Sequence, residues 1–244
     1  MERLISYPIS VVYYLSFGLV LVIFHPIQWL CLHLSGYEAH KRSVDYMNFL
    51  LIGCSRMLFT RYTITGKEKI PFNVPLIIVS NHQSLYDIIG FIWFFRAYHI
   101  KYVSKKELGK GIPSVSFNLR HGGSALIDRK DPKQALPAIK ALGEYIEKNV
   151  RSASIFPEGT RSKNGKTRAF APNGLKILCK NAPSAYVVPI TINDSWKMTK
   201  FGVFPMGLGS ALQFIVHDPI KVGSCSFEEL LEKTESAVNS AIKS

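Results

Sequence analysis

Hydrophobic residues dominate the start of the chain. No charged side chain occurs between Arg3 and Glu38, and residues 7–24 read YPISVVYYLSFGLVLVIF. That run is close to the ~20 apolar residues with which a helix crosses a bilayer. Pro26 interrupts it, and residues 27–34 resume it with Trp29 between His25 and His33. The pattern predicts an N-terminal membrane-associated helix pair joined at the proline. Glu2 and Arg3 precede the pair and Lys41 and Arg42 follow it, which suits a re-entrant hairpin with both ends on the cytoplasmic face, a single tilted span being the alternative. Residues 38–60 then space Val44, Met47, Leu50, Leu51, Met57 and Leu58 as a helix does, and predict a link into the main domain.

Beyond residue 60 the period alternates between two and 3.6. Residues 62–65, 76–80, 100–104, 124–128, 154–156, 186–192 and 212–216 predict strands. Residues 88–95, 133–149, 174–180 and 227–242 predict helices, the second opened by Asp131-Pro132. Alternating elements of this kind predict an α/β fold: a central, mostly parallel or mixed sheet flanked by helices. The organisation expected is a membrane-anchoring segment over residues 1–37 and one catalytic domain over residues 38–244.

Composition sharpens this picture. The chain is 47% hydrophobic yet carries 30 Lys and Arg against 17 Asp and Glu, a formal charge of +13. High apolar content with a positive surplus fits a protein that sits on anionic lipid and touches hydrocarbon, and no nucleic-acid partner is expected. Cys31, Cys54, Cys179 and Cys225 are scattered, which argues against a zinc site and against a disulfide framework.

Candidate chemistry lies at predicted strand ends. Asn81-His82-Gln83-Ser84-Leu85-Tyr86-Asp87 follows one strand and precedes a helix, the position where α/β proteins place ligand sites. On one continuous helix, residues five apart diverge by about 140°. His82 therefore meets Asp87 only if it lies on the loop before the helix. An Asp on one ring nitrogen fixes the tautomer and leaves the other nitrogen to take a proton from a hydroxyl. Ser84-x-x-Asp87 is also a capping-box pattern, in which Asp87 only caps a helix.

Phe156-Pro157-Glu158-Gly159-Thr160-Arg161-Ser162 follows another strand and joins a turn to a hydroxyl and a guanidinium suited to phosphate. Gly159 and Gly165-Lys166-Thr167 are separated by five residues, one more than a P-loop allows, so nucleotide hydrolysis is set aside. Lys105-Lys106-Glu107-Leu108 and Gly123 through Ile127-Asp128-Arg129 end two further strands. One base among several cations suits activation of a hydroxyl on a phosphorylated substrate. No Gly-x-Ser-x-Gly elbow, no cysteine beside either motif and no metal-ligand cluster occurs in the sequence.

The His82/Asp87 pair, Gly123 with Ile127-Asp128-Arg129, Glu158-Gly159-Thr160-Arg161 and Val188-Pro189-Ile190 resemble, in order and rough spacing, the glycerolipid acyltransferase family. Within it the pattern is most similar to the 1-acylglycerol-3-phosphate O-acyltransferases, over roughly residues 60–220. The resemblance implies transfer of a fatty acyl chain from acyl-CoA or acyl carrier protein to the free hydroxyl of 1-acylglycerol-3-phosphate, giving phosphatidic acid, with no cofactor. It implies that His82 is the base and Asp87 its orienting partner. Lys105, Arg129, Glu158, Gly159, Thr160 and Arg161 would bind the acceptor phosphate, and Val188-Pro189-Ile190 would pack near the acyl chain. Two departures bear on the acceptor head group. Phe170-Ala171-Pro172-Asn173-Gly174 lacks the family's usual lysine and is one residue longer, and Leu126 replaces a common aromatic. The alternatives are acylation of another lyso-lipid, such as a lyso-ornithine lipid, and a non-catalytic basic protein of the membrane surface.

Overall fold

The computed structural model describes residues 1–243. It opens with one long helical element, α1 (Glu2–Arg56), broken at Gly36, whose φ of 75° and ψ of −165° are not helical. The Gln28 amide nitrogen lies 3.4 Å from Met47 Sδ, 19 residues along the chain. Unbroken helix would hold those residues about 28 Å apart. The two arms, residues 2–35 and 37–56, therefore run back along one another as a hairpin. This moves the expected joint: the first arm continues through Pro8 and Pro26, and the chain turns at Gly36. A proline removes one helical hydrogen bond without reversing the chain, whereas a positive φ at glycine carries no Cβ penalty.

The main domain is a mixed eight-stranded sheet. Its strands are β1 (Arg61–Thr65), β2 (Leu76–Ser80), β3 (Ile100–Lys105), β4 (Ala125–Ile127), β5 (Ser152–Ile155), β6 (Tyr186–Asn193), β7 (Ala211–Val216) and β8 (Ile220–Lys221). They lie in the order β1-β7-β6-β2-β5-β3-β4, with β8 beside β6. From β6 to β4 all pairings are parallel, while β7 and β8 run antiparallel to β6. The ends of β2, β5, β3 and β4 consequently share one edge, and the loops leaving them converge there.

Pleating divides β2 between two cores. Ile77 and Val79 join Ile139, Leu142 and Leu175 of α4 (Pro132–Asn149) and α5 (Pro172–Asn181), with α6 (Phe227–Ser240) covering the same face. Leu76 and Ile78 join Phe91 and Phe95, in and just after α2 (Asp87–Phe94), together with Phe214. Pro189 is tolerated inside β6 because its carbonyl, which accepts His217 N–H at 3.0 Å, faces the gap between β7 and β8. Its nitrogen points to the same side, where no ladder donor is needed.

A third cluster joins the hairpin to the domain. Tyr13 and Leu21 pack with Met47, Leu51, Tyr86, Met198 and Met206. Tyr14 O–H donates to Val203 O at 2.6 Å, and Ser10 Oγ accepts Met206 N–H at 2.8 Å. The other side of the first arm presents Leu4, Val11, Leu15, Leu19 and Val22 to the exterior. Helix α3 (Val115–His121) and strand β8 went unpredicted. Both are short, and α3 is seated by tertiary bonds from Ser114 to Leu21 O (2.5 Å) and His25 Nδ1 (3.1 Å).

Close approach of α2 to the sheet gives a direct test. A Cβ on Gly90 would lie 2.5 Å from Phe214 Cζ, on a fully buried ring. Gly90→Ala is expected to lower stability by about 1–3 kcal/mol, as overpacking does. Urea unfolding of detergent-solubilised protein measures this, and an unchanged midpoint would contradict the packing described.

Candidate active site

Side chains of the loop between β2 and α2 fix it to the backbone of β6 and of the turn after it. Asn81 Nδ2 donates to Ile192 O at 2.8 Å, and its Oδ1 accepts Ile192 N–H at 2.7 Å. Gln83 Oε1 accepts Ser195 N–H at 3.1 Å. Held at both points, the loop folds over the carboxylate that begins the helix.

Asp87 is fully buried, and both its oxygens are bonded. Oδ2 accepts from His82 Nδ1 at 2.8 Å, Gln83 N–H at 2.8 Å and Ser84 N–H at 3.0 Å. Oδ1 accepts from the hydroxyls of Ser84 at 3.3 Å and of Ser195. One oxygen thus holds both the imidazole and the Ser84 amide, the bond a capping box would make, although the helix itself opens after Tyr86 with no side-chain cap. His82 lies on the loop, so the helical divergence of 140° does not apply. A carboxylate on Nδ1 requires the proton there, which leaves the lone pair on Nε2. No described residue bonds Nε2, and the His82 side chain is 14% exposed. The ring stacks on Phe156, with centroids 4.1 Å apart and planes inclined by 20°.

The loop after β5 clasps the backbone of His82. Glu158 Oε1 accepts His82 N–H at 3.2 Å, and Ser162 N–H donates to His82 O at 2.8 Å. Glu158 Oε2 has no hydrogen-bond partner among the described residues. Burial pushes the Glu158 carboxyl up to about 7, against the opposing pull of the His82 amide and of Arg168. Gly159 turns with a φ of 68°, and its carbonyl accepts from the Arg129 guanidinium. Burial chiefly, and Arg161 in addition, pull the Arg129 pKa below its usual value. Two guanidiniums therefore sit close together at the loop. Thr160 and Arg161 are exposed.

These findings sort the residues singled out from the sequence. His82, Asp87 and Glu158 are in mutual contact or bonded through one backbone, and Arg129 touches the same loop at Gly159. Lys105 ends β3 on the same sheet edge and is exposed, while its neighbour Lys106 pairs with Asp128 at 2.8 Å. Val188 and Ile190 are fully buried in the core beneath α2. Among the described residues, no group of His, Cys, Asp and Glu is arranged to hold a metal.

Residues 61–193 match the family described as Acyltransferase. The chain belongs to that family. The match runs from β1 to the end of β6 and contains every candidate residue above. A chloroplastic 1-acyl-sn-glycerol-3-phosphate acyltransferase of Arabidopsis thaliana is 30% identical over 163 residues, 66% of this chain and 44% of that protein. A 1-acyl-sn-glycerol-3-phosphate acyltransferase of Helicobacter pylori is 43% identical over 107 residues, 43% of each chain. The chain thus spans less than half the length of these curated relatives. The crystal structure of the 1-acyl-sn-glycerophosphate acyltransferase of Thermotoga maritima superposes with a TM-score of 0.75 at 25% identity, covering 100% of both chains.

Two contributors to this acyltransferase site escaped the sequence reading. Ser195 lies 108 residues from the carboxylate it bonds, just outside the matched region, and a lone serine after a strand carries no signal. Phe156 was visible only as the residue before Pro157, although its ring supports the imidazole.

The raised pKa of Glu158 has a testable sign. Its folded value exceeds the usual 4.5, so the stability it contributes is present below about 4.5 and is lost as pH rises through about 7. Glu158→Gln is expected to flatten this part of the pH dependence. Thermal melts of both proteins from pH 4.5 to 8 read the difference, and parallel curves would exclude a buried, raised carboxyl.

Proposed function

We propose that this acyltransferase moves a fatty acyl chain from acyl-CoA or acyl carrier protein to the free hydroxyl of 1-acylglycerol-3-phosphate, giving phosphatidic acid. The observation that carries this reading is the Asp87–His82 pair: Nδ1 is held by a buried carboxylate, and Nε2 is unbonded at the edge of a cationic loop. The names of the relatives from Arabidopsis thaliana, Helicobacter pylori and Thermotoga maritima support the same acceptor.

In this mechanism Nε2 takes the acceptor's hydroxyl proton as the oxygen attacks the thioester carbonyl. The tetrahedral adduct collapses with loss of the thiol, which leaves with the proton held by the imidazolium. Asp87 stabilises that transient charge, and Phe156 keeps the ring in plane. The transfer as written needs no cofactor and no covalent enzyme intermediate. Thr160, Arg161, Arg129 and Lys105 bind the acceptor phosphate along the sheet edge. Glu158 acts in this arrangement by holding the His82 backbone, and Gly159 by turning the loop.

The acyltransferase works at a membrane, on its cytoplasmic face. Residues 1–37 serve as the anchor and residues 38–244 as the catalytic domain. An N-terminal helix with a mean hydropathy of 2.0, an exposed apolar side and the +13 charge support this placement. The acceptor is then a lipid reached from the bilayer. The hairpin also packs on Tyr86, with the Tyr13 and Tyr86 rings 6.2 Å apart, so the anchor braces the catalytic loop.

The decisive assay is acyl transfer by purified protein to phosphorylated and unphosphorylated lyso-lipids, beside His82→Ala. Loss of transfer in that variant with an unchanged melt is expected; full activity would remove His82 from the chemistry. Asp87→Asn is expected to fold with its oxygen still toward His82, because two backbone amides demand an acceptor there and the serine hydroxyls can accept from the new NH2. The tautomer then survives and only the charge is lost. A fall in kcat of roughly 10- to 100-fold follows from about 1.5–3 kcal/mol for a bond to a charged group. A fall beyond 10⁴-fold would show the wrong tautomer instead.

Arg161→Ala is expected to raise KM for the phosphorylated acceptor by roughly 10- to 100-fold, on the same scale for a bond to phosphate. Its effect should disappear with an acceptor that lacks the phosphate. Equal losses on both acceptors would make Arg161 a purely structural residue.

A further inference from the structure

At the opposite end of the sheet from His82, a half-enclosed cavity of about 30 Å³ separates the second arm of the hairpin from the start of β3. We infer that this cavity binds a single small inorganic anion, of the size and charge of chloride, which ties the hairpin to the catalytic domain.

The lining is built for an anion and lacks one. Lys101 is 5% exposed, and its ammonium donates to Tyr37 Oη at 2.6 Å but pairs with no carboxylate among the described residues. His40 is 1% exposed and Tyr102 3%, and among the described residues neither the His40 ring nitrogens nor the Tyr102 hydroxyl have a hydrogen-bond partner. Lys101 and Tyr102 come from the start of β3 and His40 from the second arm of the hairpin, and all three line the same cavity. Among the lining residues, Lys41, Arg96 and Lys101 oppose Asp45, with the histidines neutral; Arg96 is exposed and Lys41 pairs with Asp45 at 2.5 Å, which leaves Lys101 as the buried cation without a paired counter-charge. Glu38, outside the lining and 3.6 Å from Arg151, is the other acid that acts on Lys101.

Water would satisfy the donors but leave the surplus charge. A buried unpaired cation costs several kcal/mol unless a counter-charge reaches it. Burial, with Arg151 and Lys41 adding repulsion, already pushes the Lys101 pKa down to about 7. An anion relieves both effects and supplies acceptors to the unbonded donors. Size then sets the class: about 10–15 Å³ of such space holds one water, so 30 Å³ has room for about two waters or one monatomic ion, which suits a halide.

Thermal unfolding of the full-length protein in detergent, in sodium chloride and in sodium gluconate at equal ionic strength, tests this. Chloride well above its Kd is expected to raise Tm by about 3 °C. Lys101→Met should abolish the difference while melting in gluconate no lower than wild type, because it removes an unpaired buried charge. Equal melts of wild type in the two salts would mean that the cavity holds only water, and would overturn the proposal. So would a chloride shift that persists in Lys101→Met. Should that variant fail to fold, crystals of wild type grown in sodium bromide decide: an anomalous peak between Lys101 and His40 is expected, and its absence refutes the site.

Discussion

Everything near the reacting centre depends on the placement of one buried carboxylate. A fully buried Asp is tolerated only where its charge meets enough donors, and Asp87 meets two backbone amides, two hydroxyls and an imidazole. These donors come from the loop it caps and from Ser195, so the carboxylate organises the loop as well as the ring. The same arrangement explains why the hairpin matters to the site. Tyr86, inside that loop, is part of the core formed by Tyr13, Leu51 and Met206. Displacing the first arm would therefore loosen the loop that seats His82.

The sheet was legible because its strands carry dense apolar runs. Residues 76–80 were read with the bounds that β2 has, and Asp131-Pro132 opened α4 as expected, with the Asp131 carboxylate accepting from Lys133 and Gln134. Local geometry allowed His82 and Asp87 to meet only if His82 lay on a loop, and it was the family resemblance that singled the pair out; the structure places His82 on that loop. The hairpin turn was misplaced because proline announces itself as an interruption, whereas Gly36 acts through a backbone angle that the apolar pattern does not record. The bonds of the site that went unread are long-range. Ser195, which carried no signal, reaches Asp87, and Glu158, read as a phosphate-site residue, instead reaches the backbone of His82, only because the parallel sheet sets β2, β5 and β6 side by side.

Charge is distributed by burial rather than by strand. At the loop edge, Arg129 and Arg161 stay close to one another while Glu158, the nearby acid, is withdrawn into the interior and directed at a backbone amide. A carboxyl whose pKa rises to about 7 is largely protonated through the mildly acidic range, and it then leaves the cations of the loop unneutralised. Burial of one acid thus maintains a positive field at the surface without adding a single lysine.

The hairpin has a consequence for how the chain is made. Residues 2–35 leave the ribosome well before their partners Met198, Val203 and Met206. At the usual pace of about 5–20 residues per second, roughly ten seconds or more separate the two. Through that interval Tyr13 and Leu21 have no domain to cover them, and Leu15 and Leu19 face outward even when it arrives. A bilayer or a chaperone must shelter the segment meanwhile.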